Sequence, residues 1–295
     1  MTEHNETPSA DDLALPAAHA ALLARATQHR TPSGDGQVIW HRWGTRRPGA
    51  LPVVMLHGGS GSWTHWIRNI DALVAAGHEL WLPDLPGFGD SAPPPVGFDA
   101  DAMVEPLYQG MQQLGLLPCQ LVGFSFGGMT AGMLAAAHSD AAERLVIVGA
   151  PAMGVVPEKQ FSLKGWRHLP DAAQQRDVHR YNLGALMLWD TAKIDDEALA
   201  LHQQNVQRDR LPRRRLSNTD ILAQSLPRIP VPVAAIYGAH DALYKAYMEG
   251  LAQQYRAVTP QLVDFILVPD SGHWVQYEQP QRFMQALLPL LNASI

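Results

Sequence analysis

A serine hydroxyl is a weak nucleophile near neutral pH and needs an adjacent base to take its proton. The serine best placed for that chemistry is Ser125, in Leu121-Val122-Gly123-Phe124-Ser125-Phe126-Gly127-Gly128-Met129-Thr130. The stretch reads as a short apolar strand, a turn with glycine on both sides of the serine, and a helix over about 126–138. One helix face is small (Gly127, Gly128, Ala131, Gly132, Ala135), so the helix can lie close to a sheet. Gly123 and Gly127 give the backbone room to reverse sharply around one residue. Asp241 and His273, which could carry acid–base chemistry, each fall just after a predicted strand, at 231–237 and 262–268. Ends of parallel strands are where such sheets place their sites. A phosphate loop would also use Gly123, Gly128 and Thr130, but Met129 stands where its lysine must be. A close-packed turn with an incidental serine is the remaining alternative at this point.

The elements that must position these residues alternate. Residues 17–28 form a short alanine-rich helical stretch. A turn signal at 33–36 and a strand at 38–43 follow, the strand belonging to an antiparallel pair at the sheet edge. The run 52–56 is apolar throughout, as a strand buried on both faces should be. It leads into His57-Gly58-Gly59-Ser60-Gly61-Ser62-Trp63. A dinucleotide loop is discounted there because Thr64 replaces the third glycine. Helical signal to about 76, a strand at 78–82, an amphipathic helix at 101–116 and a buried strand at 144–149 come next. From about 151 to 227 charge is denser and strand-like runs stop, although 196–206 has helical spacing. After the strands at 231–237 and 262–268, a closing helix from about 280 buries Phe283, Leu287 and Leu291. Strands alternating with helices predict an α/β fold with a mostly parallel sheet.

Bulk properties narrow the class. The chain has 295 residues, 46% of them hydrophobic and 17% charged, which fits a globular protein with a sizeable core. A formal charge of −6 gives no reason to expect nucleic acid or an anionic membrane as partner. The one cysteine, Cys119, excludes an internal disulfide and reads as a buried inert thiol. The thirteen histidines lack metal-ligand spacing, so no metal is inferred. The amino terminus has no signal-peptide pattern, residues 1–15 are expected to be mobile, and the expected compartment is the cytoplasm. Oligomeric state stays open, a homo-oligomer included.

The Gly-x-Ser-x-Gly turn between strand and helix resembles the nucleophile elbow of the α/β-hydrolases. The resemblance covers most of the chain outside 152–226. It implies a hydrolase core over 31–151 and 227–295, a helical cap at 152–226 and an N-terminal extension with a short helix at 1–30. The order Ser125, Asp241, His273 matches the family's nucleophile, acid and base. The alternative acid position of the family, after the preceding strand, holds Gly149-Ala150-Pro151-Ala152 and no carboxylate. His240 and Asp270 read as loop and turn residues. By the same resemblance the N–H groups of Gly59 and Phe126 form the oxyanion hole, and no cofactor is required.

The reaction so implied is acyl transfer to Ser125 from a carboxylic ester or similarly activated small-molecule carbonyl. The alternative is hydrolysis of a carbon–carbon bond in a ring-cleavage diketone. The chain is similar to that subgroup at His57-Gly58-Gly59-x-Gly61, at Asn205-Val206-Gln207-Arg208 and at His273-Trp274, where a cap arginine (Arg208 or Arg210) would bind the substrate's acidic end. The subgroup's asparagine before the nucleophile is replaced by Phe124. With Trp63 and Trp274, Phe124 suggests an aromatic-walled pocket, ordinary core packing being the other reading. A third reading, a receptor that keeps the fold without turnover, is disfavoured by the complete Ser-Asp-His set.

Overall fold

The computed structural model describes residues 16–211 and 213–293; the stretch 1–15, expected to be mobile, lies outside the described residues. Helix α1 (Ala17–Ala24) precedes the strands β1 (Thr27–Ser33), β2 (Gly36–Trp43) and β3 (Val53–Leu56). Then follow α2 (Ile70–Ala75), β4 (Leu80–Pro83), α3 (Asp101–Gln113), β5 (Cys119–Phe124), α4 (Phe126–Ala137) and β6 (Ala142–Val148). Three helices, α5 (Ala172–Asn182), α6 (Asp196–Gln207) and α7 (Ile221–Ser225), precede β7 (Val233–Gly238). The chain closes with α8 (Met248–Val258), β8 (Leu262–Val268), α9 (Val275–Glu278) and α10 (Pro280–Asn292).

The strands make one eight-stranded sheet in the order β1-β2-β4-β3-β5-β6-β7-β8. The pairs β1/β2 and β2/β4 are antiparallel and all others parallel. Strands β3, β5 and β7 are buried at every residue, which is why their sequences are almost wholly apolar, with Gln120 of β5 the exception. Alternate side chains serve opposite faces. Val54, Leu56, Leu121, Leu145 and Ile147 pack with Met103 and Leu107 of α3, Met129 and Leu134 of α4 and Leu251 of α8. Val53, Met55, Val122, Phe124, Val146 and Val148 pack with Ile70 of α2 and with Phe283 and Leu287 of α10.

The order of strands reverses at β3. The chain runs from β3 to β4 on one side and then crosses to β5 on the other, so the loops leaving β3 and β5 meet at a switch point. Open α/β sheets bind ligands in the crevice formed there.

The segment between β6 and β7 is helical, as its dense charge and broken strand pattern predict. Asp171 caps α5 by accepting from the N–H of Ala173 and Gln174, and Asp195 caps α6 through Ala198. Leu183, Met187, Leu199 and Leu201 extend the second core cluster into this segment.

The amino-terminal helix departs from expectation. It ends at Ala24 instead of continuing to Gln28, because Thr27–Ser33 pairs with β2 in register from Thr27 opposite Arg42 to Ser33 opposite Gly36. The sheet therefore begins inside the stretch 1–30. This edge strand, Thr-Gln-His-Arg-Thr-Pro-Ser, has no apolar residue, so hydrophobic alternation could not signal it. Cys119 is buried and free, its thiol pushed up by desolvation. Among the described residues no helix is long and apolar enough to cross a membrane.

Candidate active site

Ser125 sits at the turn from β5 into α4 with φ 51° and ψ −118°. A non-glycine residue at positive φ is strained, and it persists only where its surroundings over-determine it. Here the serine N–H donates to the Val148 carbonyl at 2.7 Å, and its own carbonyl accepts from Gly128 and Met129. The flanking glycines are needed for close approach. A Cβ on Gly123 would lie 2.4 Å from the Gly127 carbonyl oxygen, and one on Gly127 would lie 2.3 Å from that of His57.

Asp241 follows β7 and His273 follows β8, neighbouring strands of the sheet. Their loops are laced together: the His240 N–H donates to the Ser271 carbonyl and Ala239 to Val268, each at 2.9 Å. A Cβ on Gly238 would meet the Gly272 carbonyl at 2.0 Å, so glycine is what lets the loops touch. His273 Nδ1 lies 3.0 and 2.9 Å from the two carboxylate oxygens of Asp241, and its Nε2 lies 2.8 Å from Ser125 Oγ. A carboxylate only accepts, so Nδ1 carries the proton and Nε2 is free to accept from the serine hydroxyl. Asp241 and His273 are both buried, and Asp241 also accepts from the N–H of Leu243. The arrangement can move a proton from Ser125 to His273 beside a fixed negative charge. His240 stacks on Trp189 with ring centroids 3.9 Å apart, and Asp270 pairs with Arg282, so neither faces the serine.

The loop after β3 brings Gly59 against the elbow: a Cβ on Gly59 would lie 3.5 Å from that of Phe126. Among the described residues the Gly59 N–H has no protein acceptor. The Phe126 N–H opens α4, where a helix has no partner for it. Two buried histidines hold this loop from below. His57 Nδ1–H donates to the Gly58 carbonyl at 2.7 Å, and its Nε2 accepts from Leu85 N–H at 2.8 Å. Burial lowers His57 to about 4, so it stays neutral in that tautomer. His65 Nδ1 accepts from Gly58 N–H at 3.1 Å and is likewise kept neutral by desolvation.

A cavity of about 710 Å³ opens over Ser125, within the usual range for small-molecule sites. Phe124, Phe126, Met153, Phe161, Leu186 and Met187 supply apolar wall. Trp63 and Trp274 do not reach it. Trp63 packs on Trp43 at 5.2 Å between ring centroids, and Trp274 stacks on Tyr277 at 4.0 Å with its indole N–H on the His65 carbonyl. Both are core residues, and Phe124 alone of the three lines the pocket.

Arg208 is also elsewhere. It pairs with Asp90 and lines a separate, shallow cleft with Arg210, whose guanidinium is spent on the carbonyls of Phe88, Gly89 and Ser91. The arginine that does line the Ser125 cavity is Arg214, bidentate to Asp209 at 2.8 and 2.9 Å. The cleft's neighbours His41, Asp84 and Asp90 place possible metal-ligand atoms within 4.8 Å of one another. Those of Asp84 already accept from the N–H groups of Trp63 and Asp90, while Asp90 is paired with Arg208.

One buried residue outside the expected set stands out. Glu278 accepts from the N–H of Gly272 at 2.7 Å, Trp189 at 3.1 Å and Asp190 at 2.7 Å. It thereby ties the residue before His273 to the segment between β6 and β7. The only hint in the sequence is its place five residues after His273, in Ser-Gly-His-Trp-x-x-x-Glu-x-Pro.

Residues 53–286 match the model of the alpha/beta hydrolase family. The chain is 28% identical over 255 residues to a 2-hydroxy-6-oxo-6-phenylhexa-2,4-dienoate hydrolase of Burkholderia cepacia, covering 81% of this chain and 87% of the relative. It is 30% identical over 259 residues to the sn-1-specific diacylglycerol lipase ABHD11 of Mus musculus, covering 81% and 80%. Among solved structures, the carboxylesterase CesB of Bacillus subtilis superposes with a TM-score of 0.74 at 20% identity, covering 94% and 97%.

Proposed function

Because the chain belongs to the alpha/beta hydrolase family and is a hydrolase, we propose that it cleaves a carboxylic ester, or a similarly activated carbonyl, through an acyl-enzyme on Ser125. His273 Nε2 takes the Ser125 proton as Oγ attacks the carbonyl carbon, and Asp241 stabilises the imidazolium that forms. The N–H groups of Gly59 and Phe126 receive the oxyanion; loss of one such donor costs about 3–4 kcal/mol of barrier in known cases. The intermediate collapses with transfer of the proton to the leaving alcohol. Water, deprotonated by His273, then adds to the acyl carbon, and the acid leaves with Oγ reprotonated. Residues 152–226 act as the cap, and no resident cofactor takes part.

The observation that carries the ester reading is the charge of the pocket wall. Its one guanidinium close to the elbow, Arg214, is already neutralised by Asp209, and Phe124 stands beside the nucleophile with no donor to offer. A neutral acyl group fits the wall beside the nucleophile, the cavity's other charged lining residues being Glu158, Lys159 and Asp220. The second reading, hydrolysis of a carbon–carbon bond in a vinylogous diketone, is supported by the 28% identical relative named for that class of substrate.

Parallel assays of wild type and Ser125→Ala on p-nitrophenyl butyrate and on 2-hydroxy-6-oxo-6-phenylhexa-2,4-dienoate separate the two. Ester turnover lost in the variant, with the dienoate inert, supports the first reading. Preferred cleavage of the dienoate by wild type would replace it with the second.

A further inference from the structure

The loop that presents Gly59 is held unevenly by the core. On its amino-terminal side, both polar groups of the Gly58 backbone are fixed by buried histidines, the carbonyl by His57 and the N–H by His65. On its carboxyl-terminal side stands Ser60, a non-glycine residue at φ 47°. No sheet residue bonds its side chain. Ser60 Oγ instead donates to Asp209 Oδ2 at 2.5 Å and accepts from Arg214 Nη2 at 3.2 Å.

Asp209 and Arg214 both come from the segment between β6 and β7, and they close a three-membered ring of hydrogen bonds with Ser60. Their side chains are only 10% and 18% exposed. The guanidinium is further pinned by the Leu211 carbonyl at 2.6 Å and lies over the Phe88 and Phe126 rings, 4.9 and 5.4 Å from their centroids. A Cβ added to Gly59 would stand 3.5 Å from Arg214 Nη2. A few residues earlier in the same segment, buried Asn205 grips the far end of the loop, accepting from Ser62 Oγ at 2.8 Å and donating to Thr64 Oγ1 at 3.0 Å.

We propose that the Asp209–Arg214 pair is a positioning element for the oxyanion hole, reaching from the cap through Ser60 to fix the direction of the Gly59 N–H. The inference rests on Gly59 being an oxyanion donor in the reading above. A donor must point to where negative charge develops, and an error of about 1 Å in such a group can cost a hundred-fold in rate. The core bonds this loop at Gly58 and, through Asp84, at Trp63, and between those anchors the strained Ser60 conformation depends on the cap. The cap is then a structural part of the reaction centre as well as its cover. The same pairing keeps Arg214 from acting as a free cation against the acyl group.

The test uses the full chain and the variants Ser60→Ala, Asp209→Asn, Arg214→Met and Arg214→Lys. Two quantities are read: the rate of Ser125 labelling by a fluorophosphonate, whose phosphoryl oxygen occupies the oxyanion position, and deuterium uptake by the amides of 57–62. The expected result for Ser60→Ala and Asp209→Asn is a labelling rate lower by about ten- to a hundred-fold. On p-nitrophenyl butyrate, kcat should fall by a similar factor with KM nearly unchanged. Uptake at 57–62 should rise while uptake in β5 stays as in wild type. Arg214→Lys should recover part of the rate lost in Arg214→Met. Should the charged-residue variants fail to fold, Ser60→Ala carries the test alone. Wild-type labelling and uptake in Ser60→Ala and Asp209→Asn would overturn the proposal, as would slower labelling without added uptake at 57–62. If wild type itself is not labelled, the reading of Ser125 fails separately, and the uptake measurement still decides whether the pair holds the loop.

Discussion

The loops that end β5, β7 and β8 and the segment between β6 and β7 enclose the same cavity, but they are secured in opposite ways. Ser125, Asp241 and His273 each stand within a few residues of a strand end, and backbone hydrogen bonds of the sheet carry their positions. Small residues let those loops touch, so the side chains meet at 2.8 to 3.0 Å without help from a long connection. The helical segment is joined to these loops largely through side chains instead: Asn205 to Ser62 and Thr64, Asp209 and Arg214 to Ser60, and the Glu278 carboxylate to the N–H groups of Trp189 and Asp190. Among the described contacts between them, backbone bonds run only from Trp274 N–H to the Met187 carbonyl and from Arg210 N–H to that of Gly87. Groups on a rigid scaffold can keep one reaction while groups on the adaptable segment change what is bound. The placement of Glu278 and Ser60 shows that the separation is incomplete, since each joins a strand-end loop to the helical segment.

Three substitutions probe that contrast, in decreasing order of effect. Ser125→Ala, on the sheet side, should lower kcat by about 10⁴- to 10⁶-fold, as removal of a serine nucleophile does elsewhere. Stopped turnover of p-nitrophenyl butyrate checks this, and a loss under ten-fold would take the chemistry away from the strand ends. Glu278→Gln, at the junction, replaces a carboxylate that accepts three N–H groups with an amide that accepts less strongly and brings two donors of its own. It should destabilise the fold by about 1.5–3 kcal/mol in urea titration, the scale of hydrogen bonds to a charged group. Its kcat should fall with the displaced His273 loop, and unchanged stability would mean the junction bears little. Arg208→Ala, on the outer side of the helical segment, should change stability by no more than about 1 kcal/mol, the scale of a surface ion pair. Its turnover of neutral and acidic substrates should match wild type. A selective loss of affinity for an acidic substrate would return Arg208 to the pocket and weaken the division drawn here.

The same contrast governs what could be read from the residues. The strand-end positions were legible because each follows a largely apolar strand and because Gly123, Gly127 and Gly238 record close approaches that no side chain would permit. The helical segment's contacts were not, since which arginine of an arginine-rich stretch turns inward depends on the path of the chain. Arg208 and Arg214 differ by six positions, and one pairs outward with Asp90 while the other lies beside Phe126. Aromatic type carried equally little direction. Phe124 lines the cavity, whereas Trp63 and Trp274 fill space beneath it, because burial depth is a property of packing that composition does not encode. The polar edge strand β1 was missed for a related reason: its pairing with β2 is made by the backbone, and its side chains bear no periodic sign of it.

The elbow's geometry has a consequence for how this protein can change over time. With φ at 51°, position 125 is held in a conformation that glycine adopts freely and serine does not, at a cost of about 1–3 kcal/mol. Selection for stability alone would therefore favour glycine there, and selection for turnover would oppose it at every generation. A lineage that no longer needed the proposed reaction would have a ready downhill step available. With Ser125 as the proposed nucleophile, chemistry and not the ease of folding accounts for a serine at this position.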